Sequence, residues 1–389
     1  MASGAGGAAS WPGVCYAVRV SAIVPAMPEA AGPSDAIELS SVRRALVVKL
    51  RHHGDVLLAS PVFTALRGAA PHLEIDALVY ADTSEMLEGH PAMSQLHVVE
   101  RRWKDWGALQ RIATERRLFA ALRARRYDLL LHLSGHPRGA WLARSLGCRY
   151  SVAPDTADRS RFWRKSFTHL YPLPQAGRRH AVELNLDALR RIGVHPAEED
   201  RKLILVPGEK AEREVSALLT AHGLSDRGYV HWHPTSRWLF KCWPAERVAR
   251  VIDQLQRRGT RVVVTAAPAE RELAQIAAIR SHCAAPPVDF SGKLTLKMIA
   301  SLAARARLFV GVDSAPMHIA AAMGTPVVAM FGPSGEDEWG PWRVPNRVVT
   351  SDKFPCRPCG NDGCGGGKVS ECLTTLREQA VLEAIDALL

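Results

Sequence analysis

The chain has 389 residues, 47% of them hydrophobic and 23% charged. That composition belongs to an ordinary globular protein and excludes wholesale disorder, and the length accommodates two domains at about 150 residues each. Fifty Lys and Arg against 39 Asp and Glu leave a net charge of +11, which favours an anionic partner: nucleic acid, an acidic membrane surface or a phosphorylated substrate.

No stretch reaches the ~18 uninterrupted apolar residues that a bilayer span needs. Residues 1–41 are rich in Gly, Ala, Ser and Pro, and Arg19 and Pro25 cut their apolar runs. They lack the basic start and long apolar middle of a signal peptide, so they read as a flexible extension, with Met27 an alternative initiator. Eight cysteines are too few for a disulfide scaffold of this length, and a reducing compartment is expected.

From Arg43 strands and helices alternate. Residues 45–50 (ALVVKL) predict a strand, followed by the polar turn Arg51-His52-His53-Gly54-Asp55 and a helical stripe at Leu58, Val62 and Leu66. Residues 75–80 predict a second strand, Leu109, Ile112, Phe119 and Leu122 a helix, and residues 127–133 a third strand. The pattern loosens from Pro172 to Gly228 and then restarts with strands at 229–232, 261–265, 308–312 and 326–331. Between the first two of these, Pro244 opens a helix whose stripe is Val248, Val251, Ile252 and Leu255. The implied class is α/β, with parallel β-α-β units in two Rossmann-like halves joined by a linker near residues 172–200. The boundaries are placed at 1–41 (extension), 42–195 (N-terminal domain) and 196–389 (C-terminal domain, with a Cys-rich segment at 356–372). Ligands of such sheets bind beyond the carboxyl ends of the strands, so the loops after Leu50, Trp232, Thr265 and Val312 are where chemistry is sought.

Four loops carry candidates. Gly54 permits close backbone approach and Asp55 starts a helix, either as its cap or as a general base taking a hydroxyl proton. Neither a dinucleotide fingerprint nor a P-loop is present. In Asp313-Ser314-Ala315-Pro316-Met317-His318 a strand runs into a helix start whose free N–H groups suit an anion, with His318 one turn in. Thr235, Ser236 and Lys241 offer hydroxyls and an ammonium to a diphosphate, while Trp238, Phe240 and Trp243 pack. Cys356, Cys359, Cys364 and Cys372 are a candidate structural zinc site; reduced thiols and a labile disulfide are the alternatives. Cys15, Cys148, Cys242 and Cys283 read as small fillers.

Basic clusters lie at Arg101, Arg102, Lys104, Arg111, Arg116, Arg117, Arg123, Arg125 and Arg126, and at Arg159, Arg161, Arg164 and Lys165, the latter interleaved with Phe162 and Trp163. They direct the N-terminal half toward an anionic partner. No Asp-x-Asp dyad offers a divalent cation to a nucleotide sugar, so no cofactor is required by this reading.

The strings VKLRHHGDV (48–56), FWRKSFTHL (162–170), FKCW (240–243) and GVDSAP (311–316) together resemble the ADP-heptose:lipopolysaccharide heptosyltransferases, glycosyltransferase family 9. The second and third strings are most similar to the branch that adds the third inner-core heptose, the heptosyltransferase III type. The resemblance runs from residue 43 to 389 and implies a GT-B fold: two Rossmann-like domains facing across a cleft, with a C-terminal helix packing back. It implies inverting, metal-independent transfer from ADP-heptose to an inner-core heptose of a phosphorylated, acidic lipopolysaccharide. The enzyme would work in the cytoplasm, peripheral to the inner membrane, without nucleic acid. Asp55 then matches the family's base, Lys241 the phosphate-contacting lysine, and Asp313, Ser314, Ala315 and His318 the donor loop. Thr235 and Ser236 match its paired hydroxyls, with one extra residue before Lys241, and Glu270 a carboxylate beside the adenosine ribose. Another family 9 transferase (first or second core heptose, or another nucleotide-sugar donor) and a non-catalytic glycan-binding protein on the same fold are the competing readings.

Overall fold

The computed structural model describes residues 33–101, 106–173 and 179–389. Six parallel strands build a first sheet: β1 (Arg44–Val48), β2 (Glu74–Tyr80), β3 (Gln95–Val99), β4 (Leu129–His132), β5 (Tyr150–Asp155) and β6 (His169–Pro172), in the order β3-β2-β1-β4-β5-β6. Helices cover both faces, so β1 is a continuous apolar run rather than an alternating one. Those helices are α1 (His53–Leu57), α2 (Ser60–Ala69), α3 (Ala108–Ala124), α4 (Arg138–Leu146), α5 (Arg161–Arg164) and α6 (Ala181–Arg190).

The second half repeats the scheme with α7 (Glu209–Ala221), β7 (Tyr229–His233), α8 (Ala245–Arg257), β8 (Arg261–Val264), α9 (Glu270–His282), β9 (Val288–Asp289), α10 (Leu296–Arg305), β10 (Leu308–Val312), α11 (Ala315–Ala322), β11 (Val327–Met330), α12 (Glu336–Trp339), β12 (Asn346–Val349), α13 (Glu371–Thr374) and α14 (Glu378–Asp386). Its strand order, β12-β11-β10-β7-β8-β9, is the winding of the first sheet. Each sheet therefore has a crevice where the winding reverses, between β1 and β4 and between β7 and β10.

Apolar burial holds each half and joins them. Leu46, Leu57, Leu58 and Leu66 are fully buried in the first, each stabilising by about 1.5–3 kcal/mol. Ile299, Ala300, Ile319 and Ala321 of the second half complete the first half's core cluster. Trp342 stacks on His180 at 4.3 Å, and its Nε1 donates to Arg201 O at 2.7 Å. The C-terminal helix packs back onto the second sheet: Val381, Leu382 and Ile385 of α14 join its core, and Glu378 pairs with Arg247 and Arg250. Among the described residues no helix is long and apolar enough to cross a membrane.

Three features depart from the sequence reading. Residues 33–41, assigned to the extension, are packed: Ile37 is buried, its N–H donates to Ile192 O at 3.0 Å, and Asp35 pairs with Arg191 at 2.7 Å. Residues 1–32 of that extension lie outside the described residues. The stretch expected to be loose contains α6 and α7, whose buried Val182, Leu186 and Leu189, and Ala211, Val215 and Leu219, are ordinary helical stripes. Conversely, the stripe expected on α3 does not face a core. Only Leu122 of that helix is buried, while Leu109 and Ile112 stand in solvent.

Candidate active site

At the first crevice, α1 begins with a reciprocal cap. The His52 side chain accepts from the Asp55 N–H, and Asp55 Oδ2 accepts from the His52 N–H at 3.3 Å. Capping thus fixes the carboxylate's direction, and Arg51 Nε lies 3.6 Å from its other oxygen. The Asp55 side chain keeps 14% of its exposure, so a substrate hydroxyl can reach it. Beneath the loop Lys49 is buried. Its Nζ donates to Leu133 O (2.9 Å) and Asn185 Oδ1 (2.8 Å), tying the end of β1 to the end of β4 and to α6. Burial pulls its pKa down to about 8.

At the second crevice, β10 is followed by Asp313, whose Oδ2 accepts from Lys241 Nζ at 2.5 Å. Lys241 comes from the β7–α8 loop and also lies 5.2 Å from the face of Trp238. Ser314 occupies the N-cap position of α11, with its hydroxyl donating back to Val312 O at 3.2 Å, and Ala315 is the helix's first residue. Pro316 has no N–H and that of Met317 donates to Ser314 O, so the amides of Ser314 and Ala315 remain for an anion at the positive helix end. In the same β7–α8 loop Thr235 is fully buried and donates to Glu272 Oε2 at 2.7 Å, and Ser236 Oγ accepts from the Trp238 N–H.

The two crevices meet. A methyl group on Gly54 would lie 3.0 Å from His318 Cδ2, so a bare glycine is what lets α1 approach α11. His52 meets Trp238 edge-on at 5.6 Å. His318 is buried, and burial lowers its pKa despite the opposing pull of Asp313 and Asp55, which keeps the imidazole neutral. Its Nδ1 is buried without a hydrogen-bond partner among the described residues. A carboxylate on one lip, and an ammonium with two backbone amides on the other, is an arrangement that can deprotonate an acceptor while stabilising an anionic leaving group.

Asp55, Gly54, Lys241, Asp313, Ser314, Ala315 and His318 therefore converge, with Thr235 and Ser236 in the adjoining loop. Glu270 does not join them: it is exposed at the start of α9, and Glu272, two positions on, is the carboxylate turned inward onto Thr235. Cys356 and Cys364 are exposed and Cys372 is buried, and among the described residues no three His, Cys, Asp or Glu side chains group to hold an ion. Lys49, His52 and Glu272 carried no role in the sequence reading. Lys49 and His52 belong to the motif around Asp55, but only the fold shows which groups they touch. Of the bases, Arg101 pairs with Asp82, and Arg125 with Glu74 and Asp76, inside the first half, whereas Arg102 and Lys104 lie outside the described residues.

Comparison with known proteins bears on this geometry. Residues 115–369 match the family model of glycosyltransferase family 9 (heptosyltransferase). Lipopolysaccharide heptosyltransferase 3 of Escherichia coli is 38% identical over 297 residues, 75% of this chain and 84% of that protein. The crystal structure of a family 9 glycosyltransferase from Veillonella parvula superposes with a TM-score of 0.77 at 25% identity, covering 91% of this chain and 99% of that one. The structure of E. coli heptosyltransferase WaaC with ADP gives a TM-score of 0.68 at 22% identity, covering 89% of this chain and all of that one, a likeness of fold. The protein is a glycosyltransferase, and the family to which the chain belongs is glycosyltransferase family 9, the heptosyltransferases.

Proposed function

We propose that this enzyme transfers L-glycero-D-manno-heptose from ADP-heptose to an inner-core heptose of lipopolysaccharide, as a transferase of the heptosyltransferase III type. The N-terminal domain, residues 42–195, takes the acidic acceptor, and residues 196–389 take the donor. The reaction is an inverting single displacement at the cytoplasmic face of the inner membrane. Asp55 accepts the proton of the acceptor hydroxyl as its oxygen bonds to the anomeric carbon. The bond from that carbon to the diphosphate breaks on the opposite face, and ADP leaves with the electron pair.

Lys241 and the amides of Ser314 and Ala315 take up the charge that develops on ADP, the task a divalent cation performs in other transferases. Asp313 holds Lys241 in place, since a carboxylate facing a diphosphate unneutralised would repel it. Thr235 and Glu272 order the wall beside the nucleotide, and neutral His318 offers a polar ring between the two substrates.

The observation that carries the reading is the meeting of α1 and α11. It sets a capped, reachable carboxylate against an ammonium and a helix start. The 38% identity to lipopolysaccharide heptosyltransferase 3 supports the choice of acceptor. Incubation of the purified enzyme with ADP-heptose and core acceptors truncated at zero, one or two heptoses, followed by mass spectrometry, tests it. Addition of one heptose to the acceptor that already carries two is expected. Transfer only to the shorter cores, or only from another nucleotide sugar, would overturn it.

A further inference from the structure

Four of the large apolar side chains that stand in solvent lie on the helices flanking the first sheet: Leu109 (85% exposed) and Ile112 (56%) on α3, Trp141 (62%) on α4 and Phe162 (41%) on α5. Trp141 and Phe162 form one patch, with ring centroids 5.1 Å apart, and the Arg144 guanidinium lies 4.8 Å over the Phe162 ring. α3 is tied to α4 by the Glu115–Arg138 ion pair, so Leu109 and Ile112 belong to the same flank. The neighbouring Trp163 behaves oppositely: it is buried, and its Nε1 donates to Pro154 O at 3.0 Å. Phe162 thus faces outward while the next ring on the same turn completes the core.

Charge decides what such a patch meets. Residues 138–165 carry seven Arg and Lys and two Asp. Arg144, Arg149, Arg161 and Lys165 are exposed, whereas Asp155 is engaged by Arg164 at 3.0 Å, and Asp158 accepts from Thr156. A second copy of this chain docked by two-fold symmetry would bring the same cations against their own kind. An anionic bilayer surface complements them, and amphipathic rings flanked by Arg and Lys are suited to the headgroup boundary.

We infer that Trp141 and Phe162, with Arg144, Arg161 and Lys165 around them, seat the protein on an anionic phospholipid surface. The inference rests on the proposed use of a membrane-embedded acceptor. α4 follows directly on the β4 loop that Lys49 anchors, so docking on this flank turns the first crevice toward the bilayer from which that acceptor comes.

The test is cosedimentation of the full-length protein with phosphatidylcholine vesicles, with and without phosphatidylglycerol, at low and high salt. Wild type is expected to bind only the vesicles containing phosphatidylglycerol, more weakly at high salt, and Trp141→Ala/Phe162→Ala to bind about tenfold or more weakly. Transfer to a delipidated, water-soluble core acceptor is expected to be the same in both, which separates docking from catalysis and shows that the variant is folded. Acyl-chain bromolipids should quench wild-type tryptophan fluorescence, and Trp141→Phe should keep binding while losing that increment. Wild type that ignores anionic vesicles, a double variant that binds like wild type, or a dimer in solution abolished by the double substitution would each overturn the inference.

Discussion

Lys241 serves two partners in turn. In the free protein its ammonium is paired with Asp313 at 2.5 Å, and in the proposed reaction it meets a diphosphate that carries more charge than one carboxylate. Lys241→Met removes the ammonium that the proposed reaction sets against the diphosphate and leaves Asp313 facing the leaving group. The kcat/KM for ADP-heptose should fall by about 10²–10³-fold, the usual effect of deleting one charge-stabilising donor; a near-normal steady-state value would contradict the assignment. The two glutamates of α9 make a paired comparison. Glu272→Gln weakens a buried, charge-assisted bond from Thr235 and should destabilise by about 1.5–3 kcal/mol and raise the donor KM. Glu270→Gln, at an exposed position, should change stability by no more than about 0.5 kcal/mol. Thermal unfolding and donor titration of both variants measure this, and a reversed ranking would contradict it. The family resemblance nominated Glu270 as the carboxylate beside the adenosine ribose. Burial, which depends on how α9 lies against the β7–α8 loop, selects Glu272, and no local pattern announces it.

Among the elements, the contact between α1 and α11 matters most, because it joins halves more than 250 positions apart in the chain. Gly54 is where the helices touch, and a side chain there has the His318 ring 3.0 Å away. Gly54→Val should force the helices apart and lower kcat by about 10²-fold, as misplacement of reacting groups by about 1 Å does, with little change in ADP affinity. Turnover assays beside ADP titration would show it, and wild-type kcat would mean that the cleft tolerates a wider opening. The strands and the loops bearing Asp55 and Asp313 were legible because parallel, doubly covered strands leave continuous apolar runs. α6 and α7 were obscured by the polar residues between their apolar positions. α3 was misread in the other direction: spacing reports that Leu109 and Ile112 share a face, and nothing in spacing says whether that face meets a core or solvent.

At the scale of the whole molecule, the two sheets share one winding, and their two crevices meet at Gly54–His318 and His52–Trp238, so the fold itself brings together the groups that the proposed reaction assigns to acceptor and donor. The same compact interior sets a response to acid. Burial lowers the pKa values of His132, His180, His231 and His233 to about 3, against 6.5 in an unfolded chain. Between these values the unfolded state binds more protons, so stability rises with pH and is lost as pH falls from 6.5 toward 3, by up to about 1.4 kcal/mol per pH unit for each group. Melting temperatures should therefore drop steadily from pH 7 to pH 5. A flat or rising profile in that interval would show that these imidazoles are not held neutral. The cationic total of the chain was evident from composition. That Arg144, Arg149, Arg161 and Lys165 stand exposed on the flank that carries Trp141 and Phe162 is a property of the folded surface alone.

The most direct test of the account is Asp55→Asn, which keeps the size of the side chain and an oxygen for the His52 N–H while removing the base. Transfer from ADP-heptose to a core acceptor and ADP affinity by calorimetry should be measured on the same preparation. The account predicts a transfer rate reduced by about 10²–10⁴-fold with ADP affinity unchanged. A variant that turns over like wild type, or that loses ADP binding together with transfer, would contradict it.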